Sequence, residues 1–597
     1  MVSPLSLPTL DRLKATVSEG LDVYAITEQW FATFGKELQS HNIDNVLSLC
    51  TDDVFWRDTL ALTWDFRTFQ GTTAVKQFLS DRLALSTLSS FKLKKNLIEL
   101  EKPYADLVWI QAFFDFETTV GVASGVFRLV PMADGSWKAH AIYTNLEDLK
   151  GHPEQVGARD YNPNHGKWTA KREREIAYVD EDPKVIIVGA GQSGLEISAR
   201  LKMMGLNALV VEKNQRVGDN WRKRYAALCL HDPVWFQHMP YIPFPATWPV
   251  YIPAVKLGDW FESYAHSLEL NVWTSATVTS VVPGSTKRWR AVIKRYDGSE
   301  RVFEADHVIF ALGLGGSVPN MPKFPGMDEF RGEILHSSRH KRATDHTGKK
   351  VVVIGSCTSA HDICADYVDN GVDVTMYQRS ATYIMSVKEG MPRLMKPLYW
   401  EGGPPTDIAD RVNASFPNHL MKLMHQRITK STAEADKDLL NGLRARGFKL
   451  TLGDDDSGFL QLAWQKSGGY YLDVGASQMI IDGKIKLKND SLLSHFTQSG
   501  LCFEDGSNID AEVVVFATGF GDPRDAYREL LPEAIGSNLP KIWGLDKEGE
   551  LYGAWREVGF AGLWCMMGPF VSARFHSKHV ALQIKAQEEK LFGTRYR

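Results

Sequence analysis

Two stretches of this chain each read as an apolar strand, a glycine turn and a helix, and together they constrain the fold more than anything else in it. The first is Lys184-Val-Ile-Ile-Val-Gly189-Ala-Gly191-Gln-Ser193-Gly194, and the second is Lys350-Val-Val-Val-Ile-Gly355-Ser356-Cys357-Thr358-Ser359-Ala360. Such a unit turns main-chain N–H groups and the positive end of a helix toward a pyrophosphate. The pattern predicts an α/β fold with two Rossmann-like dinucleotide-binding domains. A chain that holds two nucleotides side by side is suited to passing electrons between them, as a two-dinucleotide flavoprotein does.

In the first unit Gly189 permits the turn, Gly191 lets the backbone approach phosphate, and Gly194 lets helix and strand close up. The next strand, Ala208–Val211, ends in Glu212, where a carboxylate accepts ribose hydroxyls. In the second unit Cys357 stands where a glycine normally clears room for phosphate. The following strand, Val372–Tyr377, leads to Arg379, which can grip a 2′-phosphate and so favours NADPH over NADH, or can be a solvated strand-end residue.

At 597 residues the chain is long enough for several domains. Residues 20–148 look independent of the rest. A helical pattern at Asp22–Ser40 precedes short strands at Val54–Arg57 and Ala61–Phe66 and a helix near Thr73–Ser86. Alternating runs follow at Phe91–Leu100, Asp106–Thr118, Gly121–Leu129 and Trp137–Tyr143. The expected divisions are 1–150 as an α+β domain with a curved antiparallel sheet, and 151–182 as a linker. Residues 183–335 and 510–597 form the first nucleotide domain, and 336–509 the second, with a helical insertion near 385–459. Runs at Trp289–Lys294, Arg301–Phe303 and His307–Leu312 read as a small antiparallel excursion, and a strand at Glu512–Ala517 as a return to the first sheet.

A net charge of −4 gives no footprint for nucleic acid, and no apolar run approaches a membrane span. Residues 1–8 lack the basic and apolar regions of an export signal. Six scattered cysteines with no C-x-x-C pair suit a reducing compartment, so a cytoplasmic location is expected, with no metal site.

From Pro183 onward the chain resembles the class B flavin-dependent monooxygenases, which include flavin-containing monooxygenases, YUCCA-like enzymes and Baeyer–Villiger relatives. The residues that carry the resemblance are the two glycine turns, Gly218-Asp-Asn-Trp221-Arg222, Phe330-Arg-Gly332-Glu-Ile-Leu-His336 and Phe516-Ala517-Thr518-Gly519-Phe520. Departures are Asp219 for a second glycine, His340 after the central fingerprint, and the lack of an asparagine near His231–Asp232. The resemblance implies FAD at the first turn and NADPH at the second, with O2 and a small organic molecule as substrates. One oxygen atom is then transferred through a C4a-peroxyflavin. It implies cofactor-binding roles for Gly189, Gly191, Ser193, Gly194, Glu212, Gly218, Trp221, Arg222, Gly355, Ser356, Thr358, Ser359, Arg379, Thr518 and Gly519.

His231, Asp232 and His336 are the candidate catalytic residues. The first two either bond the flavin or its peroxide, or act as a core histidine and a helix cap; His336 either acts directly or bonds backbone. Aromatic clusters at Trp235-Phe236 with Tyr241 and at Trp248 with Tyr251 form a substrate wall or core packing. Residues 20–148 resemble the SnoaL/NTF2-like family in element order and in Asp-Asp-Val-Phe-Trp-Arg-Asp at 52–58. That likeness implies an NTF2-like cone used for homodimerisation or substrate capture. Two alternatives stay open: an NADPH oxidase-like flavoprotein that releases H2O2, and ligand binding or isomerisation in the first domain around Asp53, Trp56, Asp58 and Asp65.

Overall fold

Long runs of alternating apolar residues build the amino-terminal sheet. The computed structural model describes residues 5–157, 161–285, 288–313 and 318–596; residues 1–4 of the stretch read against an export signal, and 158–160 of the expected linker, lie outside it. Leu107–Glu117, Gly121–Pro131 and Trp137–Leu149 pair antiparallel in sequence. Cys50–Thr59 joins Trp137–Leu149 in parallel, so this seven-stranded sheet is mixed and not purely antiparallel as expected. The helix Val23–Gln39 starts at Asp22, whose carboxylate accepts the Ala25 N–H, and buries Trp30, Phe31, Phe34 and Leu38. Trp30 stacks on Phe34 at 4.7 Å and Phe31 meets Phe114 at 5.4 Å, which fixes the helix on the sheet.

Two local expectations fail for identifiable reasons. Residues Ala61–Phe66 form no strand, because the buried Asp58 carboxylate gathers the Leu62 and Thr63 N–H groups and the Thr63 hydroxyl; the strand begins at Phe66 and runs to Gln70. The run Phe91–Leu100 is split by a 3-10 turn at Lys95–Leu97 into strands Ser89–Leu93 and Glu99–Tyr104.

The first nucleotide sheet is parallel, in the order Val272–Trp273, Ala208–Val211, Val185–Val188, His307–Phe310, Leu563–Cys565. His307–Phe310 is thus a central strand and not part of the antiparallel excursion, which consists of Ala276–Pro283, Trp289–Arg295 and Glu300–Ala305. The second sheet is also parallel, in the order Glu333–His336, Val513–Phe516, Lys350–Ile354, Asp373–Tyr377, Lys486–Lys488. The strand expected to return to the first sheet therefore lies in the second, and Leu563–Cys565 is the one that returns. Both Val513–Phe516 and His307–Phe310 are buried along their whole length. A uniformly apolar strand suits any central slot of a parallel sheet, so its sequence does not say which sheet it joins.

The region expected to be helical contains Val387–Met395, Thr406–Ala414, Asn418–Ala435 and Lys437–Ala445, beside a small sheet of Leu450–Thr451, Thr382–Ser386 and Tyr470–Asp473. The expected linker holds a helix, Trp168–Ala177, whose Ile176 carbonyl accepts from the Trp273 indole at 2.6 Å.

Residues 20–148 are not independent. Arg57 makes two bonds to Glu550 at 2.8 and 2.9 Å, and His579 Nε2 lies 2.7 Å from Asn145 Oδ1. Residues 594–596 run along the same unit: Tyr596 N–H donates to Thr63 O at 2.8 Å, Arg595 to Trp64 O at 2.9 Å, and Arg82 to Thr594 O at 2.9 Å. One apolar cluster runs from Trp30 in this unit through the first nucleotide sheet to Ala586.

Candidate active site

At the first turn the strand Val185–Val188 delivers Gly189 with φ +107°, and the helix Gln192–Met203 starts directly after Gly191. A Cβ at Gly194 would lie 1.9 Å from Gly189 O, so nothing larger than glycine fits there. Ser193 is buried in the first helical turn. Glu212 bridges the edges of this cradle: Oε2 accepts from Ala190 N–H at 2.9 Å and Oε1 from Asn214 N–H at 2.8 Å. A second helix, Phe570–Glu588, begins at the same end of the sheet, where Gln192 donates to Gly568 O at 3.4 Å. Two positive helix ends thus face one space.

Gly218 starts the short helix Asp219–Arg222. Trp221 approaches Phe570 at 6.3 Å, and its indole N–H is buried without a partner among the described residues. Arg222 faces the protein: Nε donates to Asp259, Nη1 to Val217 O and Nη2 to Gly258 O. It anchors the helix Ala254–Ser267 instead of offering free donors.

The second turn repeats the backbone of the first. Gly355 has φ +130°, and Cys357, with φ −100° and ψ −169°, takes the extended conformation that Gly191 shows at −77° and −174°. A side chain at 357 is therefore unstrained, and only space is at issue. The helix end is met by the chain itself. Thr358 Oγ1 donates to Tyr470 O at 3.2 Å, Ser356 Oγ lies 2.8 Å from Thr382 Oγ1, and the Cys357 thiol faces the Gly469 and Tyr470 main chain. Burial pushes that thiol up, against the smaller opposing pull of those amides, so it stays uncharged at neutral pH. The Ser359 hydroxyl pairs with Tyr225. Arg379 is exposed at its strand end.

Thr518 and Gly519 border this second turn. A Cβ at Gly355 would lie 2.4 Å from Ala517 O, just as one at Gly189 would lie 2.7 Å from Ala311 O. Phe310-Ala311-Leu312-Gly313 is thus the first-turn counterpart of Phe516-Ala517-Thr518-Gly519, a repeat visible in the sequence and missed in it. Thr518 Oγ1 donates to Asn320 O at 2.5 Å. His336 has both ring nitrogens engaged, Nδ1 with Ser338 Oγ and Nε2 with Gly519 O, each at 2.9 Å. Burial holds its pKa below the usual histidine value, so it is a neutral pin between two strand ends.

The segment after Trp221 joins the two nucleotide units. Tyr225 OH donates to Asp362 Oδ2 at 3.0 Å and His231 Nε2 lies 3.4 Å from Asp362 Oδ1; Asp362 sits on the helix Thr358–Asp369. Burial disfavours a charged His231, but Asp362 outweighs it and raises the pKa above 6.5. Asp232 accepts from Gln237 at 3.0 Å while its Oδ1 is buried without a partner among the described residues. Asp362 and Tyr225 gave no local sequence signal, since only the fold brings them together.

Phe236 follows on the wall of a cleft of about 150 Å³. This cleft opens beside Val571 and Ser572, in the first turn of the helix Phe570–Glu588, and reaches the insertion helices and Arg57. Of the other aromatic residues, Trp235 lies against Trp400 and lines a separate small cavity with it, Trp248 stacks on Phe244 at 4.7 Å, and Tyr241 donates to Glu154. The four candidate residues of the first domain each have side-chain partners. Asp53 pairs with Arg12, Trp56 donates to Thr144, Asp58 organises its loop, and Asp65 pairs with Arg556.

Residues 182–523, more than half of the chain, match the profile of the family described as flavin-binding monooxygenase-like. The chain belongs to that family. By membership it is a flavin-dependent monooxygenase, an oxidoreductase. It is 30% identical over 401 residues, 64% of this chain and 83% of the relative, to indole-3-pyruvate monooxygenase YUCCA8 of Oryza sativa subsp. indica. It is 29% identical over 340 residues, 57% of this chain and 77% of the relative, to indole-3-pyruvate monooxygenase YUCCA1 of Oryza sativa subsp. japonica. A cyclohexanone monooxygenase mutant from Rhodococcus sp. Phi1 bound to NADP+ shares the fold, with a TM-score of 0.50 at 18% identity over 68% of this chain and 86% of that one. Among the described residues no helix is long and apolar enough to cross a membrane.

Proposed function

We propose that this flavin monooxygenase uses FAD at the Gly189 turn and NADPH at the Gly355 turn. It converts an organic substrate, O2, NADPH and a proton into the oxygenated product, water and NADP+. The observation that carries this reading is the direct join between the two turns: Tyr225 and His231, from the segment after Trp221, both meet Asp362 on the helix of the second turn. That join holds the two nucleotide units at a fixed separation, as hydride transfer requires. FAD, once reduced, supplies the activation of O2 and the delivery of one oxygen atom.

The chain's own contribution is binding, orientation and the exclusion of water. With FAD bound, the helix ends at Gly191 and Phe570 would supply positive ends to its phosphates and ring system and Glu212 would hold the ribose, while the Trp221 N–H, without a partner among the described residues, would be free to donate to it. Arg379 selects the 2′-phosphate. We take the first nucleotide domain to comprise the strands from Val185 to Phe310 with Leu563–Cys565, and the second those from Glu333 to Phe516. The amino-terminal unit reads as an NTF2-like cone: bulges at Val122/Ala123 and Arg128/Leu129 bend its long strands around the helix Val23–Gln39. Six free cysteines suit a cytoplasmic setting.

The test is the visible spectrum of the purified chain, followed by anaerobic NADPH and then oxygen. The expected result is a bound flavin that NADPH bleaches and oxygen restores, with less than stoichiometric peroxide once a substrate is present. A chain without flavin, or one that returns every electron pair as peroxide whatever substrate is supplied, overturns the reading.

A further inference from the structure

The cleft beside Ser572 has a wall from the amino-terminal unit and no spare charge. Its charged lining residues are Arg57, Glu550 and Asp410, and each is committed. Arg57 is bidentate to Glu550, and Asp410 is bidentate to Arg574 at 2.6 and 2.8 Å. Burial works against the Glu550 carboxylate, yet Arg57 holds its pKa below the usual value, so the pair stays ionised and self-compensated. The rest of the wall is mostly apolar, aliphatic and aromatic side chains together, with Phe236, Trp464, Trp555 and Phe575 supplying ring faces. His425 also lines it; the residue is 4% exposed and its Nδ1 has no partner among the described residues. Burial lowers its pKa to about 4, so the ring is a neutral hydrogen-bonding group.

We propose that this cleft binds the substrate, that the substrate is an uncharged aromatic molecule hydrogen-bonded by His425, and that the Arg57–Glu550 pair makes the amino-terminal unit the element that rejects anions. The proposal rests on the reading that flavin lies at the Gly189 turn, since the helix turn carrying Ser572 is the one whose entry, Gly568, is bonded by Gln192. An anionic ligand would lose its hydration and find no free cation, unless it broke a buried ion pair. A flat uncharged ring meets aromatic faces and loses only weakly held water. The relatives named for indole-3-pyruvate act on a carboxylate; in this cleft a carboxylate has no counter-ion.

The test uses indole-3-acetamide and indole-3-acetate, which differ in charge and scarcely in shape, titrated calorimetrically into the flavin-loaded chain. The amide is expected to bind about tenfold tighter or better. In Glu550→Gln the Arg57 charge is released into the cleft and the preference should reverse toward the acetate. His425→Leu should weaken the amide about fivefold and leave the acetate unchanged. Equal or tighter binding of acetate by the unaltered chain, or binding of neither probe at millimolar concentration, overturns the proposal even if Glu550→Gln does not fold. So does a folded Glu550→Gln chain with unchanged preference. Flavin content and NADPH bleaching are recorded on each sample first. A chain that holds flavin and accepts electrons but does not prefer the amide refutes this proposal alone, whereas a chain without flavin refutes the function on which it rests.

Discussion

The two glycine turns share a backbone and differ in what meets them. Around Gly189 no side chain among the described residues ties the helix end to a strand edge: Glu212 accepts the Ala190 N–H, Gln192 donates to the Gly568 carbonyl, and Asn220 lies 3.3 Å from where a Gly191 Cβ would be. Around Gly355 the corresponding helix end is tied to Gly469, Tyr470 and Thr382 by the side chains of Ser356, Cys357 and Thr358. The lesson is that one folding unit can serve a ligand held permanently or one that comes and goes, depending on whether the surrounding chain leaves the helix end free. On the proposed assignment, a resident flavin takes the first turn and a nicotinamide cofactor that comes and goes takes the second.

Substitutions can break or sharpen this contrast. The largest effect is expected from Gly194→Val, since even a Cβ there meets a backbone oxygen at 1.9 Å; the purified chain should carry no flavin absorbance. Arg379→Ala should raise the KM for NADPH by about 10- to 100-fold, with kcat and the KM for NADH unchanged, if the exposed guanidinium grips the 2′-phosphate as proposed. Steady-state kinetics with both cofactors decide this. Cys357→Gly should lower the KM for NADPH by roughly two- to fivefold and leave flavin content alone, since it loosens the second turn without touching the first. A KM that rises instead would mean that the thiol supports the turn.

The smallest effect concerns the join between the turns. His231 gains a partner in Asp362 and its pKa is raised above 6.5, so the stability it adds is fully present below about pH 6.5 and is lost as the pH climbs through the raised value. The melting midpoint of the native chain should exceed that of His231→Gln at pH 6, and the difference should shrink in alkaline buffer. A gap that widens with pH would reverse the sign of the interaction.

Both turns were legible because a buried parallel strand is an unbroken apolar run that ends at glycine, and local patterning records that directly. The sheet to which each strand belongs was not. His307–Phe310 and Val513–Phe516 are equivalent as sequences, and only their neighbours in space distinguish them. The candidate roles of Arg222 and His336 illustrate the same limit. Both lie in motifs that resemblance ties to the cofactor, yet Arg222 spends its donors on Asp259, Val217 and Gly258, and His336 spends its nitrogens on Ser338 and Gly519. Arg57 with Glu550 and Tyr225 with Asp362 were invisible for the opposite reason. Even Arg57, within a stretch that resemblance singled out, draws its meaning from a partner 493 positions away, and Tyr225 from one 137 positions away on the helix of the second turn.

The seam between Thr63 and Tyr596 bears on how the molecule is made. Arg67 and the Tyr596 carbonyl it binds are separated by 529 positions. At typical rates of synthesis the early sheet waits roughly half a minute to two minutes before its last partner leaves the ribosome. During that interval the loop around Trp64 and the strand Phe66–Gln70 have an uncovered apolar edge, on which a holding chaperone can act. Loss of residues 594–596 would therefore injure the unit that was synthesised first.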